Sequence, residues 1–119
     1  MNNRTYKLNS EFKRLIVEIL TKKVKDPRIT EMFTVLDVDT DKELSTAKVY
    51  ISVYSTDTDK ATQTFLAIKE SEPLVRREIS RTMHIRKAPE FNFILDTSMA
   101  YGQKISEMLN EIGKKDDEH

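Results

Sequence analysis

The densest chemistry in the chain lies in "LVRREISRTMHIRKAP", residues 74–89, where Arg76, Arg77, Arg81, His84, Arg86 and Lys87 fall close together. A guanidinium offers a planar fork of donors that matches a phosphate, and an ammonium adds a point charge. A second cationic run, Arg14, Lys22, Lys23, Lys25 and Arg28, occupies the first quarter of the chain. Side chains of this type and density recognise anions; they do not break bonds. His84 sits among arginines, where it could meet a phosphate or a base, although a surface histidine without a role is the plainer alternative. The only other histidine is His119.

Other chemistries are poorly served. There is no cysteine, hence no disulfide, thiol nucleophile or thiolate metal site. The only glycines are Gly102 and Gly113, so neither a phosphate-cradling P-loop nor a dinucleotide fingerprint can be built. Asp37, Asp39 and Asp41 alternate as in the opening of a calcium loop, but that loop needs glycine at its sixth position and a bidentate glutamate at its twelfth. Those positions hold Lys42 and Lys48, so a charged strand end is the expectation. No enzyme, cofactor, metal or small-molecule substrate is expected.

The 119 residues carry a formal net charge of zero, which at first argues against a polyanion as partner. The distribution argues the other way. Residues 1–28 hold eight Lys or Arg against three acids (+5), and residues 29–75 hold four against nine (−5). Residues 76–88 hold five against one (+4), and residues 89–119 hold three against seven (−4). Should the two basic blocks meet in space, one side of the molecule would suit phosphate. Otherwise they are merely the solvated faces of helices. The first twenty residues contain no apolar run of signal-peptide or membrane-span length, so a cytoplasmic location and no membrane partner are expected.

The elements that must position these cations follow from periodicity. Phe12, Leu15, Ile16, Ile19 and Leu20 mark one face of a helix that Asn9 or Ser10 would cap and that "KDPRI" would end. "MFTVLDVD" and "AKVYISVY" are predicted strands joined by a polar hairpin link, with Ala47, Val49, Ile51 and Val53 on the inner face of the second. Asp57, Thr58 or Asp59 would cap a second helix burying Ala61, Phe65 and Ile68, and Val75, Ile79 and Met83 form the stripe of a third. "APEFNFILD" is a third strand with Phe91, Phe93 and Leu95 on one face. A last helix carries Tyr101, Ile105, Met108, Leu109 and Ile112, with "KKDDEH" as a frayed tail. One domain over residues 1–113 is expected, of α+β class: a three-stranded sheet with helices on one face.

Between the second and third helices stand Ser71, Glu72 and Pro73. Inside a helix proline removes a donor and clashes with a carbonyl, at ~3 kcal/mol, whereas it suits a helix's first turn. The break therefore begins a fresh helix whose N-terminus and arginines can face an anion. Glu72 would compete with a phosphate for that helix end.

Four stretches carry a resemblance: "KDPRI" after a basic helix, "TVLDVDTDKELSTAKVYISVYS", "LVRREISRTMHIRKAPEFNFILDTS" and "GQKISEMLNEI". Together, from about Lys7 to Ile112, they closely resemble the bacterial ribosome-binding factor A family. The resemblance implies a type II KH-like fold and a non-enzymatic assembly factor, expected as a monomer. Its implied partner is the small ribosomal subunit with its 16S rRNA, and its implied role is late maturation and 5′-end processing of that RNA, above all in the cold. It also implies a kinked Ala-x-Gly between two helices, where this chain has Ser71, Glu72 and Pro73. A general single-strand KH module, which clamps RNA with a GxxG loop, and a protein-interaction domain without RNA are the alternatives. If proline sets the break, Pro73→Ala lengthens hydrogen-exchange protection across residues 68–80; unaltered exchange would assign the break to tertiary packing.

Overall fold

The computed structural model describes residues 3–96. Their order is α1 (Asn3–Lys22), β1 (Met32–Thr40), β2 (Thr46–Tyr54), α2 (Thr58–Glu70), α3 (Glu72–Met83) and β3 (Glu90–Leu95). The sheet runs β1-β2-β3, with β1 antiparallel and β3 parallel to β2. This is the α+β architecture expected from periodicity. The predicted last helix and tail lie outside the described residues.

α1 buries Phe12, Leu15, Ile16, Ile19 and Leu20 against the sheet, each worth roughly 1.5–3 kcal/mol of transfer free energy. The Phe12 ring meets Phe91 of β3 edge-on at 5.4 Å, tying the first helix to the last described strand. The start of α1 differs from expectation. Asn9 does not cap it, because the helix begins two turns earlier, at Asn3, and Leu8 continues its apolar stripe. The Asn9 side chain is buried instead, and its oxygen accepts from the Thr40 amide at 3.2 Å and the Thr40 hydroxyl at 2.6 Å. The helix also stops at Lys22, ahead of the proline turn. Val24 N–H bonds the Ile19 carbonyl at 3.1 Å, five residues back, which unwinds the last turn.

In β1, Val35 and Val38 both face the core although three positions separate them. A bulge between Val35 and Asp37 makes this possible by adding one residue to the strand. In β2, Ala47, Val49, Ile51 and Val53 are buried as alternation predicts. The hairpin is held by Asp41, whose carboxylate accepts from Ser45 N–H (2.8 Å), Ser45 Oγ (2.7 Å) and Thr46 Oγ1 (2.9 Å). Those bonds, from Ser45 first, lower its pKa from 3.8 to about 2. Asp41 is thus a structural residue of the turn, and Leu44 closes it at φ 59°, in the left-handed region.

Asp57 caps α2 by accepting from Lys60 N–H at 3.0 Å. Thr64, not singled out by hydrophobic periodicity, is fully buried in α2. Its hydroxyl accepts from the Thr30 and Glu31 amides, both at 3.3 Å, and donates to the Arg28 carbonyl at 3.2 Å. One side chain therefore fixes the whole return from α1 to β1. On β3, Phe91 and Phe93 are buried, whereas Leu95, at the strand end, is 36% exposed.

Candidate nucleic-acid interface

The break between α2 and α3 is a single residue. Ser71 has φ −83° and ψ 1°, and its amide bonds back to Ala67 and Ile68. Its hydroxyl also points backwards, donating to the Ile68 carbonyl at 2.6 Å, so it does not cap α3. Pro73 lies in the first turn of α3, as its missing donor requires. Glu72 does something the sequence did not disclose. Its carboxylate accepts from Phe91 N–H on β3 at 2.9 Å and from Arg76 at 3.1 Å, with only 13% of the side chain exposed. The kink is thereby strapped to the sheet edge, and Arg76 is drawn back along its own helix.

Val75 and Ile79 turn α3's apolar stripe inward, which leaves Arg77 and Arg81 outward. At the far end His84 adopts φ 56°, ψ 39°. This left-handed conformation is uncommon for a non-glycine residue, though histidine enters it more readily than most. The reversal lets Ile85 N–H bond the Ser80 carbonyl at 3.1 Å and Ala88 N–H bond the Ser80 hydroxyl at 3.2 Å. The chain doubles back along α3, and Arg86 and Lys87 come level with Arg76 and Arg77. Between them lies an open groove of about 270 Å³ lined by Pro73, Arg76, Arg77, Ser80, Arg86, Lys87 and Ala88. His84 thus positions the groove rather than lining it.

The other flank of α3 meets α1. Glu78 is 6% exposed, yet it keeps its charge: a hydrogen bond from Arg81 lowers its pKa, and Arg81, Lys23 and Arg77 lower it further by proximity. Lys23 Nζ of the first cationic block stands 3.8 Å from the same carboxylate. Lys23 and Arg81, far apart in sequence, therefore share one counter-ion.

The remaining predicted cations divide by partner. Arg28 is clasped by Asp26 at 2.8 Å and by Glu70 of α2 at 2.7 Å. Hydrogen bonds from Arg28 hold Asp26 at about 2, so this clasp stays ionised at neutral pH. Arg14 pairs with Glu11 and Glu18, and Lys22 with Glu18 at 3.6 Å, in a ladder along exposed α1. Arg77, Arg86, Lys87 and Lys25 have no carboxylate within 4 Å among the described residues. The structure thus gathers Arg76, Arg77, Arg86 and Lys87 around one groove and joins Lys23 to Arg81 on its flank. Arg14, Lys22 and Arg28 are occupied elsewhere. Glu78 is the organising residue that sequence reasoning passed over; Glu72 reads there only as a competitor for the helix end, not as the partner of Phe91 and Arg76. A lone acid beside Ile79, between outward arginines, was the available signal for Glu78.

The model of the family described as ribosome-binding factor A matches residues 4–109. A ribosome-binding factor A of Caldanaerobacter subterraneus is 39% identical over 116 residues, which cover 98% of this chain and 94% of that protein. The chain belongs to the ribosome-binding factor A family.

Solved structures show the shared fold. The crystal structure of ribosome-binding factor A from Thermus thermophilus superposes with a TM-score of 0.64 at 22% identity, covering 76% of this chain and 93% of that one. A homology model of the Thermus thermophilus factor, fitted into a cryo-EM map of a 30S complex with that factor, gives a TM-score of 0.60 at 21% identity, covering 75% and 91%. The ribosome-binding factor A match includes both cationic blocks and the kink. If Glu72 is the strap, Glu72→Ala leaves Phe91 N–H without its acceptor, and Phe91 exchanges roughly tenfold faster or more in hydrogen-exchange NMR. An unchanged rate would show that β3 is held without it.

Proposed function

We propose that this protein binds the small ribosomal subunit through its 16S rRNA, with α3 and the segment that doubles back on it as the contact surface. It recognises the shape and phosphate spacing of folded RNA and carries out no bond chemistry of its own. Its role is that of an assembly factor in late subunit maturation and 5′-end processing, most needed in the cold, when RNA rearranges slowly. The one observation that supports this most directly is the groove between α3 and Arg86–Lys87. Cations from two separate segments converge there, and among the described residues Arg77, Arg86 and Lys87 have no carboxylate partner. Family membership supports the ribosomal partner, as does the 30S complex into which the Thermus thermophilus relative was fitted.

Within this reading Arg77, Arg86 and Lys87 make the primary phosphate contacts. Lys23, Lys25 and Arg81 extend the surface toward α1, and Arg76, held by Glu72, contributes from the groove wall. His84 contributes the turn. Arg14, Lys22 and Arg28 are secondary, because each would have to leave a carboxylate to reach RNA. A KH-type reading of single-stranded RNA is disfavoured. The kink has no GxxG, and the carboxylate of Glu72 at the start of α3 is already committed to the Phe91 amide and to Arg76. Among the described residues no helix is long and apolar enough to cross a membrane.

The structure also selects the variants for the test. Reversing Arg81 would put a second carboxylate against nearly buried Glu78 and disturb folding as well as binding. Arg77 and Lys87 are exposed and, among the described residues, without an ion-pair partner, so Arg77→Glu with Lys87→Glu isolates the phosphate contacts. Cosedimentation with small subunits should show affinity falling roughly tenfold or more, with a log–log salt slope shallower by about 1.4–1.8 for two lost contacts. Thermal stability should stay within about 0.5 kcal/mol. Unchanged affinity and salt slope would reduce these cations to solvated surface.

A further inference from the structure

The end of α1 leaves an acceptor without its donor. Lys23 N–H makes the regular bond to the Ile19 carbonyl at 2.8 Å, and Val24 N–H goes to that same carbonyl at 3.1 Å. The Leu20 carbonyl, which a continuing α-helix would pair with Val24, therefore has no backbone donor among the described residues. Closures of this i to i+5 kind recur at functional sites. Between this turn and the start of β1 lies an open groove of about 460 Å³, which Leu20 lines. Its apolar walls are the half-buried Val24, Ile29 and Phe33 and the exposed Pro27. Two polar groups interrupt them. Lys25 is exposed and has no carboxylate within 4 Å among the described residues. Asp26 is engaged unevenly by Arg28. Its Oδ1 accepts from Arg28 N–H at 2.9 Å and Nε–H at 3.1 Å, whereas Oδ2 accepts only from Nη2, at 2.8 Å, and keeps a lone pair.

We propose that this groove receives one unstacked nucleobase of small-subunit RNA, of the kind that carries an exocyclic amino group, with the adjoining phosphate on Lys25. The inference rests on the RNA reading above and deepens it, because shape and charge alone do not tell one base from another. Three features select this occupant. Phe33 and the other apolar walls suit the face of a planar ring, as in sites where a few placed polar groups orient a ligand. Acceptors at Leu20 and Asp26 suit an amino group at the ring's edge, which adenine, guanine and cytosine have and uracil lacks. The unpaired charge of Lys25 suits a phosphate, and an apolar peptide would leave both it and the acceptors unmatched. The groove is also continuous with the cationic surface, since Lys23, two residues before Lys25, stands 3.8 Å from Glu78 of α3. Bases splayed out of loops and bulges are what folded RNA offers to such a slot.

The full-length, unmodified chain serves for the test, so nothing depends on a variant that folds. It is titrated by amide NMR with adenosine 5′-monophosphate, uridine 5′-monophosphate and ribose 5-phosphate. The signals of Val24, Lys25 and Ile29 should move together with the adenine nucleotide, at roughly fivefold lower concentration than with the uracil nucleotide. Ribose 5-phosphate should move Lys25 alone. Lys25→Ala, an exposed change, should weaken the adenine nucleotide roughly threefold or more and keep the preference over uracil. Equal response to both nucleotides, or movement of all three signals with ribose 5-phosphate, would overturn the base site. So would signals that neither nucleotide moves. Shifts on diluting the protein alone would assign the groove to a second copy, and shifts with RNA-free small-subunit proteins to a protein partner; either overturns the proposal. Arg77 and Lys87 enter none of these readouts, so failure here leaves the α3 surface to be judged by its own charge reversal.

Discussion

Like charges repel, and a surface that concentrates arginine and lysine must be held together against its own field. Glu78 meets that constraint. It sits almost buried on α3, next to the fully buried Ile79, and stays ionised because Arg81 donates to it and Lys23, just past the end of α1, approaches it. A buried carboxylate with no cation would be costly, and two neighbouring cations with no carboxylate would push α1 and α3 apart. Together they let the first cationic block approach the second, and the packing of α1 on α3 fixes where the outward side chains point. Glu72 performs the corresponding task at the other end of α3, where it binds the kink to β3 and restrains Arg76. The positive surface is therefore organised by two acids that a tally of charge would count against it.

Backbone geometry supplies the rest. A one-residue break at Ser71 starts α3 at an angle α2 could not give it, and left-handed His84 ends it abruptly enough for Arg86 and Lys87 to return alongside. Both devices serve the same groove. Thr64 and Asp26 act at a distance by fixing the loop after α1, so that the end of α1 reaches α3 in register. Fold and site are joined through these few polar contacts together with Val75 and Ile79, whose full burial fixes which side of α3 faces outward.

Much of this was legible in the chain. Period-3.6 and period-2 patterns gave the six described elements in order, and the stripe of Val75 and Ile79 placed Arg77 and Arg81 outside. The unread parts share a cause: polar side chains whose partners are distant in sequence. Asn9 reads as a cap because helix caps and buried acceptors have the same residue preference, and only the proximity of Thr40 separates them. Thr64 and Glu72 bond groups more than fifteen residues away, which no local pattern encodes. The bulge in β1 could be inferred only from Val35 and Val38 facing inward together. Among the cations, composition could not distinguish Arg28, consumed by Asp26 and Glu70, from Lys25, which is free of such partners among the described residues.

The central claim is that two segments distant along the chain form one RNA-facing surface. Amine-reactive footprinting of lysines, free and bound to small subunits, tests it most directly. On binding, Lys23 and Lys87 should lose reactivity together, while Lys42 in the hairpin and Lys60 at the start of α2 keep theirs. Protection of Lys87 without Lys23, or equal labelling of all four in the complex, would contradict the account.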